Sequence, residues 1–306
     1  MTKNLGVGIN YQPAIESILD PNQGLVDFVE LSPDLLCRET AAERGPSLTY
    51  HQGLLDGALR ACASLPIVVH GLGLSIGTAS GWNGSYLDIL DQLERRRAFV
   101  WHSEHIGFLF ARDDTGKVRH AGVQLPMPLT RSSLDLLVAR VGEIRHRYAA
   151  PFLMENITHY LPELPAEDGL DEPEFLTELC QRSRCGLLLD LYNLHCNAQN
   201  FDFDTYASMS RMPLDRVVEV HLAGGSEHRG FLLDVHGDGV PEEVWAMYRW
   251  LLPRAPRLRG VVFEILEQAV PILGIAGISD QLRRARSYWK AGQQSPTRSP
   301  THVVTR

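Results

Sequence analysis

Histidines and carboxylates close a series of short apolar segments in this chain. In chain order they are His70, His105, Glu155, Asp190, His221 and Glu264. A buried carboxylate needs hydrogen bonds, an opposite charge or a metal ion, because burying it unpaired costs several kcal/mol. Imidazole and carboxylate donors without thiolates are typical of Zn, Fe(II) or Mn(II) sites rather than of Ca or Mg sites. The residue types therefore predict a metal centre.

Further donors follow two of these segments. The stretch LLLDLYNLHCNAQN places Asn193 and His195 after Asp190, on what we interpret as a loop, and LLDVHGDG supplies the pair Asp234 and His236. Spacing alone leaves open whether Asn193 or His195 is the ligand. His102 lies three residues before His105, so on a strand it should face the opposite side. The whole set could hold two or three metal ions, with Glu155 bridging two of them.

Eight apolar segments must position these residues. They are LGVGIN (5–10), DFVEL (27–31), PIVVHG (66–71), AFVWHSEHI (98–106), PFLMEN (151–156), GLLLDL (186–191), VVEVHLAG (217–224) and GVVFEIL (260–266). Amphipathic stretches with helical spacing separate most of them, which favours parallel strands and an α/β TIM (β/α)8 barrel over a doubly wound open sheet. Because barrel active sites form at the carboxyl ends of the strands, the six donors should share one mouth.

Composition narrows the class of protein. The 306 residues carry a formal net charge of -8 and contain no basic run, which disfavours a nucleic-acid partner. Five irregularly spaced cysteines favour reduced thiols, and without a signal peptide or membrane segment we expect a cytoplasmic protein with no membrane partner. We predict one barrel domain over residues 1–290 and a flexible C-terminal tail, rich in Ser, Thr, Pro and Gln, over residues 291–306.

Several motifs together resemble a known enzyme family. VVHGLGLS, SEHIGF, LMEN, LLDLYNLHCNAQN, VHLAG, DVHGDG and FEI are similar to those of the MbnB/TglH-like multinuclear non-haem iron oxygenases, over roughly residues 5–288. The resemblance implies a xylose-isomerase-like TIM barrel that binds two or three Fe(II)/Fe(III) ions and uses O2 as co-substrate. It also implies a precursor peptide as substrate, often oxidised at cysteine, and a small leader-binding partner protein that forms a heterodimer with the enzyme.

The resemblance also implies a ligand set. One metal would take His70, His105 and Glu155; a second Glu155, Asp190, His221 and Glu264; a third Asn193, Asp234 and His236. It thus selects Asn193 over His195.

Two departures from the family pattern stand out. Leu266 occupies the position of a proton-handling Asp, which moves that role to Asp238 or Glu267. Asn10, Tyr11 and Gln12 follow the first strand in place of an Arg and a His, so we expect the substrate-facing surface to differ.

Three other functions share this barrel or ligand set. A zinc-dependent phosphodiesterase of the endonuclease IV kind needs a basic surface for a phosphate backbone, which a charge of -8 does not suggest, and places a histidine where Asn193 stands. A sugar isomerase typically uses one or two metals with more carboxylates and a nearby Lys. A metal store would not need open coordination positions. The residues therefore favour an iron-dependent oxidase.

Overall fold

The computed structural model describes residues 4–40, 47–161, 164–166 and 170–294. The strands are β1 (Gly6–Asn10), β2 (Phe28–Leu31), β3 (Cys37–Thr40), β4 (Ser47–Tyr50), β5 (Ile67–Gly71), β6 (His102–His105), β7 (Gly107–Arg112), β8 (Val118–Pro126), β9 (Phe152–Glu155), β10 (Gly186–Asp190), β11 (Val217–Leu222), β12 (Ser226–His228), β13 (Phe231–Leu233) and β14 (Gly260–Phe263). The α-helices are α1 (Gln52–Ala61), α2 (Gly84–Arg96), α3 (Arg131–Arg147), α4 (Glu172–Ser183), α5 (Leu191–Phe201), α6 (Thr205–Arg211), α7 (Glu242–Leu251) and α8 (Val270–Gln294).

Eight of these strands close into a parallel barrel. Around the barrel the order is β1-β2-β5-β6-β9-β10-β11-β14, and β14 pairs with β1 to complete the ring. These strands coincide with the eight apolar segments, so the predicted TIM barrel is confirmed and the open sheet is excluded. The first crossover contains a 3-10 helix, Pro13–Leu19, in place of an α-helix.

The barrel interior has two chemically different ends. An apolar plug, formed by Phe28, Val68, Trp101, Leu153, Leu188 and Val262, fills the amino-terminal half of the barrel. Side chains alternate along a strand, so the residue two positions further on faces the same interior. On β5 the apolar Val68 is therefore followed in the barrel interior by the polar His70, and on β9 Leu153 is followed by Glu155. The plug closes the barrel from below, and the polar residues gather at the carboxyl ends.

Close packing inside the plug requires a glycine. A Cβ atom on Gly8 of β1 would lie 2.6 Å from the ring of Phe28, closer than non-bonded carbon atoms approach. The ring therefore occupies the space that a side chain on β1 would need.

Additional elements extend the mouth and the carboxyl terminus. The hairpins β3–β4, β7–β8 and β12–β13 each follow the carboxyl end of a barrel strand, where catalytic loops of this fold lie.

Helix α8 continues through Gln294, so residues 291–294 are helical, while 295–306 of the predicted tail lie outside the described residues. Within the described ranges, no helix has both the length and the apolar character needed to cross a membrane.

Candidate metal centre

Glu155 lies between three histidines at the barrel mouth. Its Oε2 atom is 3.2 Å from Nε2 of His70 and 3.1 Å from Nε2 of His105, and its Oε1 atom is 3.4 Å from Nδ1 of His221. Its side chain is only 1% exposed. The two carboxylate oxygens therefore face different imidazole groups, which is the arrangement expected of a bridging carboxylate.

The Nδ1 side of the His221 ring, which faces Glu155, also faces two further carboxylates. Its Nδ1 atom is 2.9 Å from Oε2 of Glu264 and 4.0 Å from Oδ2 of Asp190, in addition to the contact with Glu155. Donor atoms of Glu155, Asp190, His221 and Glu264 all lie within 4.8 Å of one another, as do those of His70, His105 and Glu155. The structure thus brings together all six strand-end donors in two groups that share Glu155.

Asp234 and His236 approach this cluster from the loop after β13. Nε2 of His236 is 2.7 Å from Oδ1 of Asp234 and 3.6 Å from Oε2 of Glu264. His236 has a left-handed backbone conformation with φ of 42°, which is costly for a residue with a Cβ atom. The loop packs so tightly that a Cβ on Gly224 would lie 2.1 Å from the carbonyl oxygen of Gly239. The N–H of Gly237 donates to the carbonyl oxygen of Gly224, and the N–H of Leu266 donates to that of His236, so backbone hydrogen bonds hold this loop beside the end of β14.

The stretch after Asp190 is a helix rather than the expected loop. Asp190 is the N-cap of α5, and its Oδ1 atom accepts a 2.7 Å hydrogen bond from the backbone N–H of Asn193. The Asn193 amide donates to the carbonyl of Asn156, and its Oδ1 atom accepts from the hydroxyl of Thr158. Both bonds fix the orientation of the amide and leave Oδ1 a second lone pair. The helical turn thus brings Asn193 back to Asp190.

The remaining histidines near the mouth lie apart from the cluster. His195 is buried in α5, with its ring beside Tyr192, and makes no contact with the cluster among the described residues. His102 faces away from the barrel interior, as strand alternation predicts. The centroid of its ring lies 5.0 Å from that of Tyr148 and 4.8 Å from that of Phe152. Burial lowers the pKa of His102 to about 3, so it is a neutral core residue.

Several buried donor atoms of the cluster have contacts but no hydrogen-bond partner among the described residues. They are Oε2 of Glu155, Oδ2 of Asp190, Nδ1 of His221, Oδ1 of Asp234 and Nε2 of His236. Buried polar atoms are normally paired, and unpaired ones that face one another point to a cation site. Imidazole and carboxylate groups suit a transition metal, so the donor chemistry and the unpaired atoms both fit a metal centre.

The pKa values of the cluster show how its charges compensate each other without a metal. Burial opposes charge on His105, yet Glu155 and Glu104 raise its pKa to about 10. Burial likewise opposes charge on Glu155, but His105 and His70 lower its pKa to about 2. Burial, aided by Asp234 and Glu155, raises the pKa of Asp190 well above its ordinary value. Protons therefore occupy positions in this cluster that metal ions could take.

Two buried acids beneath the cluster were not singled out as site residues by the sequence. Oε2 of Glu30 on β2 is 3.0 Å from Nε2 of His221, and both side chains are fully buried. Glu219 on β11 accepts a 2.7 Å hydrogen bond from the indole of Trp101. The signal for Glu30 was present in DFVEL, because this apolar segment also ends close to a carboxylate. Applying the strand-end criterion to the second strand would have found it.

The two candidate proton-transfer residues are exposed, whereas the two amide residues at the end of the first strand are buried. Asp238 and Glu267 are exposed, and neither contacts the cluster among the described residues. Asn10 and Gln12 are buried, and their side-chain amides bond to the backbone of Ile265, next to Glu264. These two residues therefore anchor the end of β14.

Comparison with known proteins identifies the family. A model described as "RiPP precursor modification enzyme MbnB/TglH/ChrH" matches residues 6–289. The chain belongs to this family. Its members are metalloenzymes that modify ribosomally synthesised precursor peptides. A UPF0276 protein of Caulobacter vibrioides is 31% identical over 291 residues, which cover 94% of this chain and 96% of that relative.

Solved structures share the barrel with this family member. Endonuclease IV from Thermus thermophilus has a TM-score of 0.54 and 16% identity, covering 94% of this chain and 99% of that chain. A xylose isomerase domain protein from Alicyclobacillus acidocaldarius has a TM-score of 0.51 and 14% identity, with the same coverage, 94% and 99%. At these identities the likeness shows the fold alone, and it confirms a xylose-isomerase-like barrel.

Proposed function

We propose that this chain is a multinuclear non-haem iron oxidase that uses O2 to modify a residue, specifically cysteine, of a ribosomally synthesised precursor peptide. The observation that carries the proposal is the position of Glu155, whose two oxygens face His70 and His105 on one side and His221 on the other. A carboxylate so placed can hold two metal ions close together. Family membership supplies the peptide substrate class.

Three metal positions follow from the donor groups. We assign the first to His70, His105 and Glu155, the second to Glu155, Asp190, His221 and Glu264, and the third to Asn193, Asp234 and His236. The mutual distances within 4.8 Å support the first two assignments. The contact of His236 with Glu264 supports a third position next to the second.

The chain's own bonds orient the ligand atoms of the first position. Nδ1 of His105 donates to the carbonyl oxygen of Gly71 at 3.1 Å, and Nδ1 of His70 lies 2.9 Å from the hydroxyl of Ser103. Because a carbonyl only accepts, the hydrogen bond of His105 directs its Nε2 atom towards Glu155. These partners fix the rings before any metal binds.

Iron is the metal that we propose, in two or three copies. The donor set of imidazoles, carboxylates and one amide, without thiolates, suits Fe(II). Bound iron would supply electrons for O2 reduction and lower the pKa of a substrate thiol. The apolar plug excludes water from below, so the substrate enters through the mouth. Asp238, on a loop two residues after His236, and Glu267, which begins a 3-10 helix three residues after Glu264, are both exposed and remain our candidates for proton transfer.

The partner protein completes the proposal. We propose a small protein that binds the leader segment of the precursor peptide and forms a heterodimer with this chain. The support is the assignment of the chain to a family that modifies precursor peptides.

Metal analysis and oxygen consumption test the function together. Protein purified from iron-supplied cells should carry more than one iron per chain and should consume O2 only when precursor peptide and partner are both present. Glu155→Gln should abolish this activity, while His102→Gln, a change to a buried histidine on the same strand as His105 but outside the cluster, should retain it. Stoichiometric zinc without oxygen consumption would refute the oxidase and favour a hydrolase on the same barrel.

A further inference from the structure

Glu30 lies inside the barrel directly beneath the metal centre, outside the ligand set proposed above. It is fully buried on β2, and its Oε2 atom is 3.0 Å from Nε2 of His221 on β11. Its Oε1 atom has no hydrogen-bond partner among the described residues. A fully buried carboxylate needs compensation, and the imidazole of His221 is the group that lies against it.

The two nitrogens of His221 face different surroundings. Nε2 faces Glu30, whereas Nδ1 faces Glu264 at 2.9 Å and Glu155 at 3.4 Å. Carboxylate oxygens face both nitrogens, but only the Nδ1 side adjoins the second metal position, so the proton that the ring keeps belongs on Nε2, where Glu30 accepts it. In the neutral imidazole the other nitrogen then has a free lone pair. Glu30 thereby decides which nitrogen of His221 can bind a metal.

We propose that Glu30 is a positioning residue that holds His221 in its Nε2–H tautomer and directs Nδ1 to the second metal position. The inference rests on the proposed metal centre but not on iron or on the oxidation. A carboxylate behind a ligating histidine fixes the ring orientation and raises its basicity, and loss of such a partner typically weakens metal binding about 10- to 100-fold. Glu30 performs this role from β2, which is separated from β11 by β1 and β14 in the ring.

A separate cation between these acids is the competing explanation. Donor atoms of Glu30, Glu219 and His221 lie within 4.8 Å of one another. However, Oε2 of Glu219 already accepts a hydrogen bond from Trp101, whereas its Oε1 atom, like that of Glu30, has no hydrogen-bond partner among the described residues. All of these side chains are fully buried beside the apolar plug. The hydrogen bond from Trp101 and the absence of solvent access favour two hydrogen-bond acceptors over an additional cation site.

Nuclear magnetic resonance of the wild-type protein tests the tautomer directly. The full chain, loaded with Zn²⁺ as a diamagnetic probe, should show His221 with its proton on Nε2 and the metal on Nδ1 in long-range ¹H–¹⁵N correlation spectra of the histidine side chains. A proton on Nδ1, or a metal on Nε2, overturns the proposal. This measurement requires no Glu30 variant, so it decides the question even if every such variant misfolds.

Metal titration of two matched variants tests the energetic role. Glu30→Gln should bind the Co²⁺ ion at the second position about 10- to 100-fold more weakly, with an unchanged number of sites. Glu219→Gln makes the same change on a neighbouring buried acid that bonds to Trp101, and it should keep wild-type affinity. Unchanged affinity in Glu30→Gln, or equal weakening in both variants, contradicts a specific role. Loss of one whole site in both variants would establish the separate cation.

These outcomes differ from a failure of the proposed function. The two experiments use Zn²⁺ and Co²⁺ binding and require neither O2 nor peptide. A protein that binds metals as described but oxidises nothing leaves the role of Glu30 intact and refutes only the oxidase. A wild-type protein that binds no Co²⁺ refutes the metal centre and the role of Glu30 with it.

Discussion

Replacing Glu155 by Gln is the sharpest perturbation of the proposed centre. The substitution keeps the shape of the side chain but removes its charge and one acceptor oxygen. In the structure, Glu155 contributes to both groups of donors, with its oxygens 3.1 to 3.4 Å from three histidines. Removing it leaves two of three ligands at the first position and three of four at the second. We therefore expect both ions to be lost together.

The same variant should lower the stability of the metal-free protein. The pKa of His105 is raised to about 10, so this ring is charged at neutral pH and faces Glu155 in a nearly sealed environment. Removing one partner of a buried ion pair costs about 3–5 kcal/mol, because the remaining charge stays buried. Urea denaturation of the metal-free wild type and variant would measure this loss.

Elemental analysis after dialysis measures the number of metal ions per chain. Glu155→Gln should retain at most one, at the position of Asp234 and His236. Loss of a single ion, or of none, would show that Glu155 does not bridge. An unfolding free energy equal to that of the wild type would show that the metal-free cluster does not depend on this carboxylate.

Other predictions follow from the same geometry. Asp234→Asn should lose one metal ion by elemental analysis and keep the pair that shares Glu155. His102→Phe should keep the full metal content and raise the free energy of unfolding by about 1 kcal/mol in urea, because it removes a buried nitrogen without a hydrogen-bond partner. The stability of the metal-free protein should be greatest between about pH 4.5 and 6.5. His105 has a raised pKa, so its contribution to the free energy of unfolding is complete below pH 6.5, the pKa of unfolded histidine, and is lost as the pH rises towards about 10. Glu155 has a lowered pKa, so its contribution is complete above pH 4.5, the pKa of unfolded glutamate, and is lost as the pH falls towards about 2. Metal binding at pH 7 should release protons, since His105 and His236 have raised pKa values and must deprotonate to bind; calorimetry in buffers of different ionisation enthalpy would measure this release.

Local patterns in the sequence determine the barrel and the level of its polar residues. Apolar segments of strand length that alternate with amphipathic helices require parallel pairing, and a side-chain period of two places His70 above Val68 and Glu155 above Leu153. These relations hold within one element, so they can be predicted without knowing what the element touches. The rejection of His102 as a ligand has the same local basis.

The conformation after Asp190 shows the limit of local patterns. The sequence LYNLHCNAQN indicates a loop by its polar residues, although Asp190 is a good N-cap residue and the stretch forms α5. Strand and helix meet here without a connecting residue, and the cap bond from Asn193 makes this junction part of the site. The resemblance selected Asn193 as a ligand, and the structure shows its backbone N–H bonded to Asp190, but its role as a ligand stays a prediction.

Contacts across the barrel depended on the tertiary structure alone. Glu30 and His221 are 191 residues apart and belong to strands that are not neighbours in the ring. Their distance is set by barrel closure and by the register of every strand between them, which no local pattern encodes. The same holds for which oxygen of Glu155 faces which histidine. The sequence thus determined which residues reach the mouth, and only the closed barrel decided which of them meet.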